Sequence, residues 1–343
     1  MSNVAERFGR PLHRIVVPST RLALPFAKVG VEMEVENFKL TPLNTKKLLP
    51  NWDMHTDEHS IRNSPMELVT RGGLVGEDLL NEIKLFCDVA NKHKFSEGYP
   101  RAGLHLHLDV TDMNGNNSTE MLNMMSAYML FEDAVFGFAG DWRKTCGFCD
   151  SWLGSQHDYP SLAALLVGWE DWEPARMDSQ TFSKYQALNF LPLLRFGTLE
   201  FRHMPMTLDY DRIVDWINIC LCFKRFGLQT NRTATDILMQ DGPEALINAV
   251  FGGYRTIVDQ YIKVPDLYEA LPDVMSLKLW QVAQPMDPWV GADNPLLADK
   301  ERNLKPYVKK VGRLPAKKPV RKPLVPPDVE AAINRLRELQ GEL

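Results

Sequence analysis

The sequence predicts an α+β fold, and three observations predict it. Short stretches alternate strictly between apolar and polar residues, longer stretches repeat apolar residues at helical spacing, and the two kinds interleave without a regular strand–helix–strand rhythm. Alternation runs over residues 28–38, 103–110 and 198–204, and helical spacing fits residues 77–93, 119–138, 211–226 and 233–251. No fixed period repeats. Neither GxxxxGK[ST] nor a helix-opening GxGxxG occurs, so a nucleotide site here must be built by other means.

The first strand, GVEMEVENF at 30–38, sets Glu32, Glu34 and Glu36 on one face and Val31, Met33 and Val35 on the other, because side chains alternate across a strand. Three stacked carboxylates repel each other. For a lone ExExE an exposed sheet edge is the ordinary explanation; the other is that a cation relieves the repulsion. The second strand, GLHLHLDV at 103–110, repeats the design with His105, His107 and Asp109 opposite Leu104, Leu106, Leu108 and Val110. A single strand histidine is usually structural, but two at i and i+2 with an acid next in line suit ligation. The third, GTLEFRH at 197–203, groups Thr198, Glu200 and Arg202 opposite Leu199, Phe201 and His203. Taken alone it reads as a surface Glu–Arg pair.

Together the three strands each oppose an apolar face to a face of metal-ligand or phosphate-binding types. Packed in one sheet with the apolar sides on helices, they bring the polar sides to one cavity. Carboxylates with a single imidazole suit Mg²⁺ or Mn²⁺, whereas structural zinc prefers more Cys and His. Such ions bridge phosphates, and a neighbouring arginine grips a transferring phosphoryl group.

These motifs, in this order, resemble the amidoligase family of the carboxylate-amine ligase superfamily, which includes glutamine synthetase and glutamate-cysteine ligase. The resemblance runs from about Gly30 to about Phe226: the GxExE strand; NWDMHTDEHSIRNSPMELVT, supplying Asp57, Ser60 and Glu67; the Gly-x-His-x-His strand; GDWRKTCGFC with Arg143 and Cys149; and KYQALNFLPLLRFGTLEFRHMPMTLDYDRIVDWI with Tyr185, Asn189, the Gly-Thr-x-Glu-x-Arg core and Trp216. One departure is that Glu58 and His59 stand where the family has a glycine after the hairpin Asp. The resemblance implies a glutamine synthetase-like catalytic domain, with a mainly antiparallel curved sheet whose polar face lines the active site and helices on the other face. It implies that Glu32, Glu34, Glu67, His105 and Glu200 hold Mg²⁺ or Mn²⁺, that Arg202 faces the γ-phosphate of ATP, and that Arg202, Glu200 and Asp57 are catalytic. Tyr185 and Asn189 fall to nucleotide or substrate binding. His107 either binds the acyl substrate or orients a neighbour, and Arg143 either grips a carboxylate or phosphate or is a surface residue. The implied reaction joins a carboxylate to an amine through an acyl phosphate, with amino acids, peptides, cell-wall precursors or a macromolecule all compatible as substrates.

Length and charge fit such an enzyme. The 343 residues carry 39 basic and 44 acidic side chains, and 45% hydrophobic with 10% aromatic content excludes a disordered or histone-like chain. The net charge of −5 is unevenly spread: residues 300–322 hold ten Lys or Arg against Glu301, a net of +9, which leaves −14 for the rest. The expected organisation is a lead-in at 1–27, a catalytic core at 28–226, a helical extension at 227–299, a basic Pro-rich linker at 300–327 and an amphipathic helix at 328–343 capped by Asp328. The linker can meet an anionic partner, though a solvated spacer explains it equally; an oligomer is compatible.

No stretch approaches eighteen consecutive apolar residues, which argues against membrane insertion, and the opening residues lack the apolar run of a signal peptide. These points place the chain in a cytoplasm, the host's if it is phage-encoded. Five cysteines read as reduced thiols rather than a disulfide framework, and the lone CxxC of Cys146 and Cys149, even with His157, lacks the four ligands zinc needs. Trp169 and Trp172 lie amid acids and read as packing residues. Two further functions compete: a metal-dependent hydrolase built on His105 and His107, and a non-catalytic protein that keeps the ligase fold and acts through its basic tail.

Overall fold

The computed structural model describes residues 21–56, 62–113, 120–153 and 182–283. Asp57, Ser60, Glu58, His59, His157, Trp169, Trp172, the basic linker and the terminal helix lie outside the described residues. The chain divides into two compact units, 1–280 and 281–343, and the site and its framework belong to the first.

Seven strands form one sheet: β1 (Lys28–Val35), β2 (Trp52–His55), β3 (Met66–Thr70), β4 (Leu74–Val75), β5 (Leu104–Asp109), β6 (Leu188–Asn189) and β7 (Thr198–Phe201). Their order is β2-β3-β1-β5-β7-β6, with β4 also on β1, and every strand pairing is antiparallel. The expected α+β class and antiparallel sheet are therefore observed, and the three alternating segments are its central strands.

Register carries the alternation from strand to strand. Val29, Val31 and Met33 stand opposite Leu108, Leu106 and Leu104, and Leu106 and Leu108 in turn stand opposite Phe201 and Leu199. All of these are at most 1% exposed. Helices α2 (Gly76–His93), α3 (Glu120–Leu130) and α6 (Tyr210–Gln229) cover this face. Tyr128 of α3 and Trp216 of α6 both meet the Phe201 ring edge-on, at 5.9 and 6.2 Å between centroids, and Phe86 of α2 packs on Trp52 at 4.9 Å. Helix α6 starts where the Thr-Leu-Asp turn predicts: the Asp209 carboxylate accepts the Arg212 amide. No helix among the described residues is long and apolar enough to cross a membrane.

Two predicted helices are broken. The segment 119–138 is α3 followed by α4 (Glu132–Ala139), because Phe131 leaves helical geometry at φ −105°, ψ 9°. An apolar run hides such a break. Here the cause is tertiary: buried Glu132 accepts hydrogen bonds from Tyr128 Oη, Ser151 Oγ and the backbone amides of Trp152 and Leu153. The segment 233–251 is α7 (Ala234–Asp241) and α8 (Pro243–Phe251), divided by Gly242 at φ +88°. Gly-Pro is a stop and a restart that periodicity alone overlooks. The remaining helices are α1 (Pro42–Leu48), α5 (Pro192–Phe196) and α9 (Val264–Ala283).

One irregularity opens the polar face. Between the pairs Glu32–Val69 and Lys28–Val75, β1 advances four residues while its partner advances six. The two extra residues are accommodated by Gly72 and Gly73, at φ +68° and +71°, a conformation that favours glycine. Thr70 Oγ1 accepts the Val31 amide at 2.9 Å, supplying a partner where the ladder parts.

Behind the sheet, His203 is fully buried with Nε2 2.9 Å from Tyr128 Oη, whose hydroxyl hydrogen goes to Glu132. Its Nδ1 has no hydrogen-bond partner among the described residues. Burial first, then the charge of Arg143, holds its pKa well below the ordinary value. The folded chain thus keeps His203 neutral while the unfolded chain protonates it below about pH 6.5, so stability falls as pH drops through that point. Replacing His203→Gln should flatten the pH dependence of unfolding free energy between about pH 6.5 and 5 relative to wild type, measured by denaturant titration. Identical slopes would show that His203 titrates alike folded and unfolded.

Candidate functional site

The polar face gathers what the sequence grouped. Glu32 on β1 stands directly opposite His105 on β5, and His107 stands opposite Glu200 on β7. His105 Nδ1 is 2.7 Å from Glu32 Oε1 and 3.4 Å from Glu200 Oε1. One ligand atom from each of these three residues falls within 4.8 Å of the other two. The side chains of His105 and Glu200 are nearly inaccessible and that of Glu32 is 17% exposed.

Charge explains how two carboxylates tolerate this placement. Burial would raise the Glu32 pKa, but the His105 charge and hydrogen bond, aided by His107, pull it well below the usual carboxylate range. Burial would lower His107, and the Glu32 hydrogen bond with the charges of Glu200 and Glu32 raises it instead. Arg202 donates from Nη1 to Glu200 Oε1. The other Glu200 oxygen accepts Asn189 Nδ2 at 2.7 Å, so Asn189, opposite Glu200 in the β6–β7 ladder, fixes the carboxylate's orientation. The donor set fits a divalent cation of the Mg²⁺ or Mn²⁺ type: two carboxylates and an imidazole nitrogen whose shared proton a cation can replace.

The other expected residues divide. Glu34 and Glu67 stand opposite each other on β1 and β3, and Glu34 Oε2 accepts the Gly103 amide. They lie on the same face but outside the group of three. Glu36, just beyond β1, is occupied by the Arg62 amide, Asn63 Nδ2 and Arg101 Nη2. His107 holds Nδ1 3.2 Å from Thr198 Oγ1 and Nε2 3.6 Å from Glu32 Oε2; of the His105–His107 pair, only His105 joins the three. Tyr185 packs edge-on against Phe148 at 6.0 Å.

Burial corrects the surface reading of Arg143. It is 2% exposed, so it is no surface residue, and its donors face backbone: Nε to the His203 carbonyl at 2.9 Å and Nη2 to the Arg202 carbonyl at 2.8 Å. It braces from behind the segment that carries Arg202. The CxxC gives no ligand pair either: Cys149 is wholly buried against Phe136 and Ala187, and burial raises its pKa. All five cysteines are free thiols.

Beside the three ligand residues is a cavity of about 590 Å³ whose lining includes Glu32, Glu67 and His107 from the expected set. It also includes Lys28, His55, Arg195 and Phe196, which sequence reasoning missed. The only signal for it was the Gly72-Gly73 pair, unremarkable without the register.

Residues 32–224, more than half of the chain, match the model of a family described as "Putative amidoligase enzyme". No curated protein matches the chain at a significant level.

The geometry predicts a divalent cation at Glu32, His105 and Glu200. By calorimetric titration with Mn²⁺, Glu32→Gln, His105→Ala and Glu200→Gln should each weaken binding at least about tenfold, since even outer partners of metal ligands are worth roughly 10–100-fold. Glu36→Gln should bind as wild type does. Unchanged affinity in the first three variants would place the cation elsewhere.

Proposed function

We propose that this chain, which belongs to the amidoligase enzyme family, uses ATP and a divalent cation to join a carboxylate to an amine through an acyl phosphate. The observation that supports this most is the convergence of Glu32, His105 and Glu200 beside the Arg202 guanidinium. Phosphoryl transfer asks little covalent chemistry of a protein: it asks for charge neutralisation and alignment.

Glu32, His105 and Glu200 would hold the cation, and Glu34 and Glu67 lie paired across β1 and β3 on the same face. When bound, the cation neutralises the triphosphate. Arg202, kept in place by Glu200 on one side and by Arg143 through its carbonyl on the other, meets the charge that builds on the γ-phosphoryl oxygens. A substrate carboxylate oxygen attacks the γ-phosphorus, the β–γ bridging P–O bond breaks, and ADP departs. The amine nitrogen then attacks the acyl carbon, the C–O bond to phosphate breaks, and the amine gives up a proton as the amide forms. Burial of His105, Glu200 and Asn189 limits water at this point, which protects the acyl phosphate from hydrolysis.

The catalytic core is residues 28–226 in a glutamine synthetase-like arrangement, Asp57 is a catalytic residue of the same site, and Tyr185 serves substrate binding. Beyond the core, helices α7, α8 and α9 form a helical extension. The basic segment 300–322 serves an anionic partner, and a peptide or macromolecular substrate is compatible with it.

The test is product formation. With Mg²⁺, ATP and pools of carboxylates and amines, the protein should release ADP and phosphate only when both substrates are present. Glu200→Gln should reduce turnover at least about 10²-fold, the scale on which single electrostatic groups act in such sites. Undiminished turnover in that variant would overturn the assignment.

A further inference from the structure

Arg202 is held by more than Glu200, and further holds come from one short segment. The Arg143 guanidinium donates to the Arg202 carbonyl, and the Phe148 carbonyl accepts Arg202 Nε at 3.5 Å. The Arg202 amide donates to the Ala187 carbonyl, and the Ala187 amide to the Asp150 carbonyl, each at 2.8 Å. Asp150 in turn gives its amide to the Tyr185 carbonyl. Residues 143–150 thus engage both the backbone and the side chain of Arg202.

Two thiols flank Phe148 in that segment. Cys149 is wholly buried against Phe136 and Ala187, and half-buried Cys146 packs on the same group. Two side chains so close in the chain that pack on one patch converge. Between them Gly147 turns the chain at φ +74°, and a Cβ there would meet nothing within 4 Å. Glycine has the freedom to tighten such a turn, and the open space around it offers no obstacle. A disulfide asks for Cα atoms roughly 4.4–6.8 Å apart, within reach of a short bend. The two thiols also differ as a sensing pair does: Cys146 meets solvent, and Cys149 is shielded behind it. Cys220 and Cys222, side by side on one turn of α6, do not face each other.

We propose that Cys146 and Cys149 form a reversible disulfide that sets how firmly Arg202 is held, which makes this turn a redox modification site. The Cys146 thiolate attacks one sulfur of a small-molecule disulfide such as oxidised glutathione, displaces a glutathione thiolate and forms a mixed disulfide. Cys149 gives its proton to solvent, attacks Cys146 Sγ and displaces the second glutathione. The two cysteines lose two electrons and two protons, and the oxidant becomes two thiols. Drawing the Cys149 sulfur toward Cys146 takes it off Ala187 and pulls at the Phe148 carbonyl between them. That carbonyl makes the longer of the two bonds that hold the Arg202 guanidinium. The bond itself depends on the thiols alone, whereas its effect on turnover rests on the ligase reading.

Incubating the full chain with oxidised glutathione, then unfolding, alkylating and mapping the peptides by mass, tests the bond. The peptide carrying Cys146 and Cys149 should escape alkylation and be lighter by two hydrogens, while Cys87, Cys220 and Cys222 react. Hydrogen exchange reads the effect on Arg202 without turnover. The Arg202 and Ala187 amides should exchange at least about tenfold faster in the oxidised protein and return to the starting rate with dithiothreitol. Turnover with ATP should fall at least about tenfold on oxidation, since a misplacement on the order of 1 Å costs about 10²-fold. Cys146→Ser should keep the exchange and turnover of the reduced protein under the same oxidant. Cys149 still open to alkylation after oxidation, or a disulfide that leaves these amides or the turnover of an active protein unchanged, would overturn the proposal. If the reduced protein turns over no substrate while the bond forms and the amides respond, the ligase reading falls and the redox site stands.

Discussion

Carboxylates set beside one another on the buried face of a sheet repel, and much of this molecule answers that repulsion. Two unit charges within the 4.8 Å separating these ligand atoms cost on the order of 3 kcal/mol at an effective dielectric near 20. His105 between Glu32 and Glu200, Arg202 on one Glu200 oxygen and Asn189 on the other are the compensation. The same arrangement makes the face a place where a divalent cation gains more than it would on an open surface, because the acids are already gathered and partly desolvated.

The compensation depends on the reverse side of the sheet. A strand can present a polar residue at every second position only if the intervening residues are firmly packed, and here they are buried under α2, α3 and α6. Arg143 adds a specific link: a buried guanidinium on the carbonyls of residues 202 and 203 holds the end of β7 where the Arg202 side chain can reach Glu200. His203, the next residue, points the opposite way to Tyr128, which in turn donates to Glu132. One backbone step thus separates the site from a buried hydrogen-bond network.

Much of this was legible because strand alternation has a period of two, which no helix or loop mimics for long. Glu32, His105 and Glu200 could be assigned to polar faces from residue order alone. Register was not legible: that Glu32 faces His105 while His107 faces Glu200 depends on hydrogen bonding between segments about seventy to ninety residues apart. It is register that admits His105 to the group of three and leaves His107 beside it. Arg143 was unreadable for a related reason, since a buried cation in a tight turn resembles a surface residue until its carbonyl partners are known. The cavity at Lys28 and Arg195 depends on two extra residues in one strand, which appear in sequence only as a pair of glycines. The break at Phe131 is tertiary in origin, whereas the one at Gly242-Pro243 was written in the sequence and outweighed by periodicity.

The central claim is that Glu32, His105 and Glu200 form one cation site at the middle of the polar face. Anomalous diffraction from crystals of the chain soaked in Mn²⁺ tests it most directly. A peak within coordination distance of all three side chains, about 2.0–2.3 Å for such ions, is the predicted result. A peak elsewhere, or these three side chains keeping their hydrogen bonds with no metal among them at saturating Mn²⁺, would contradict it.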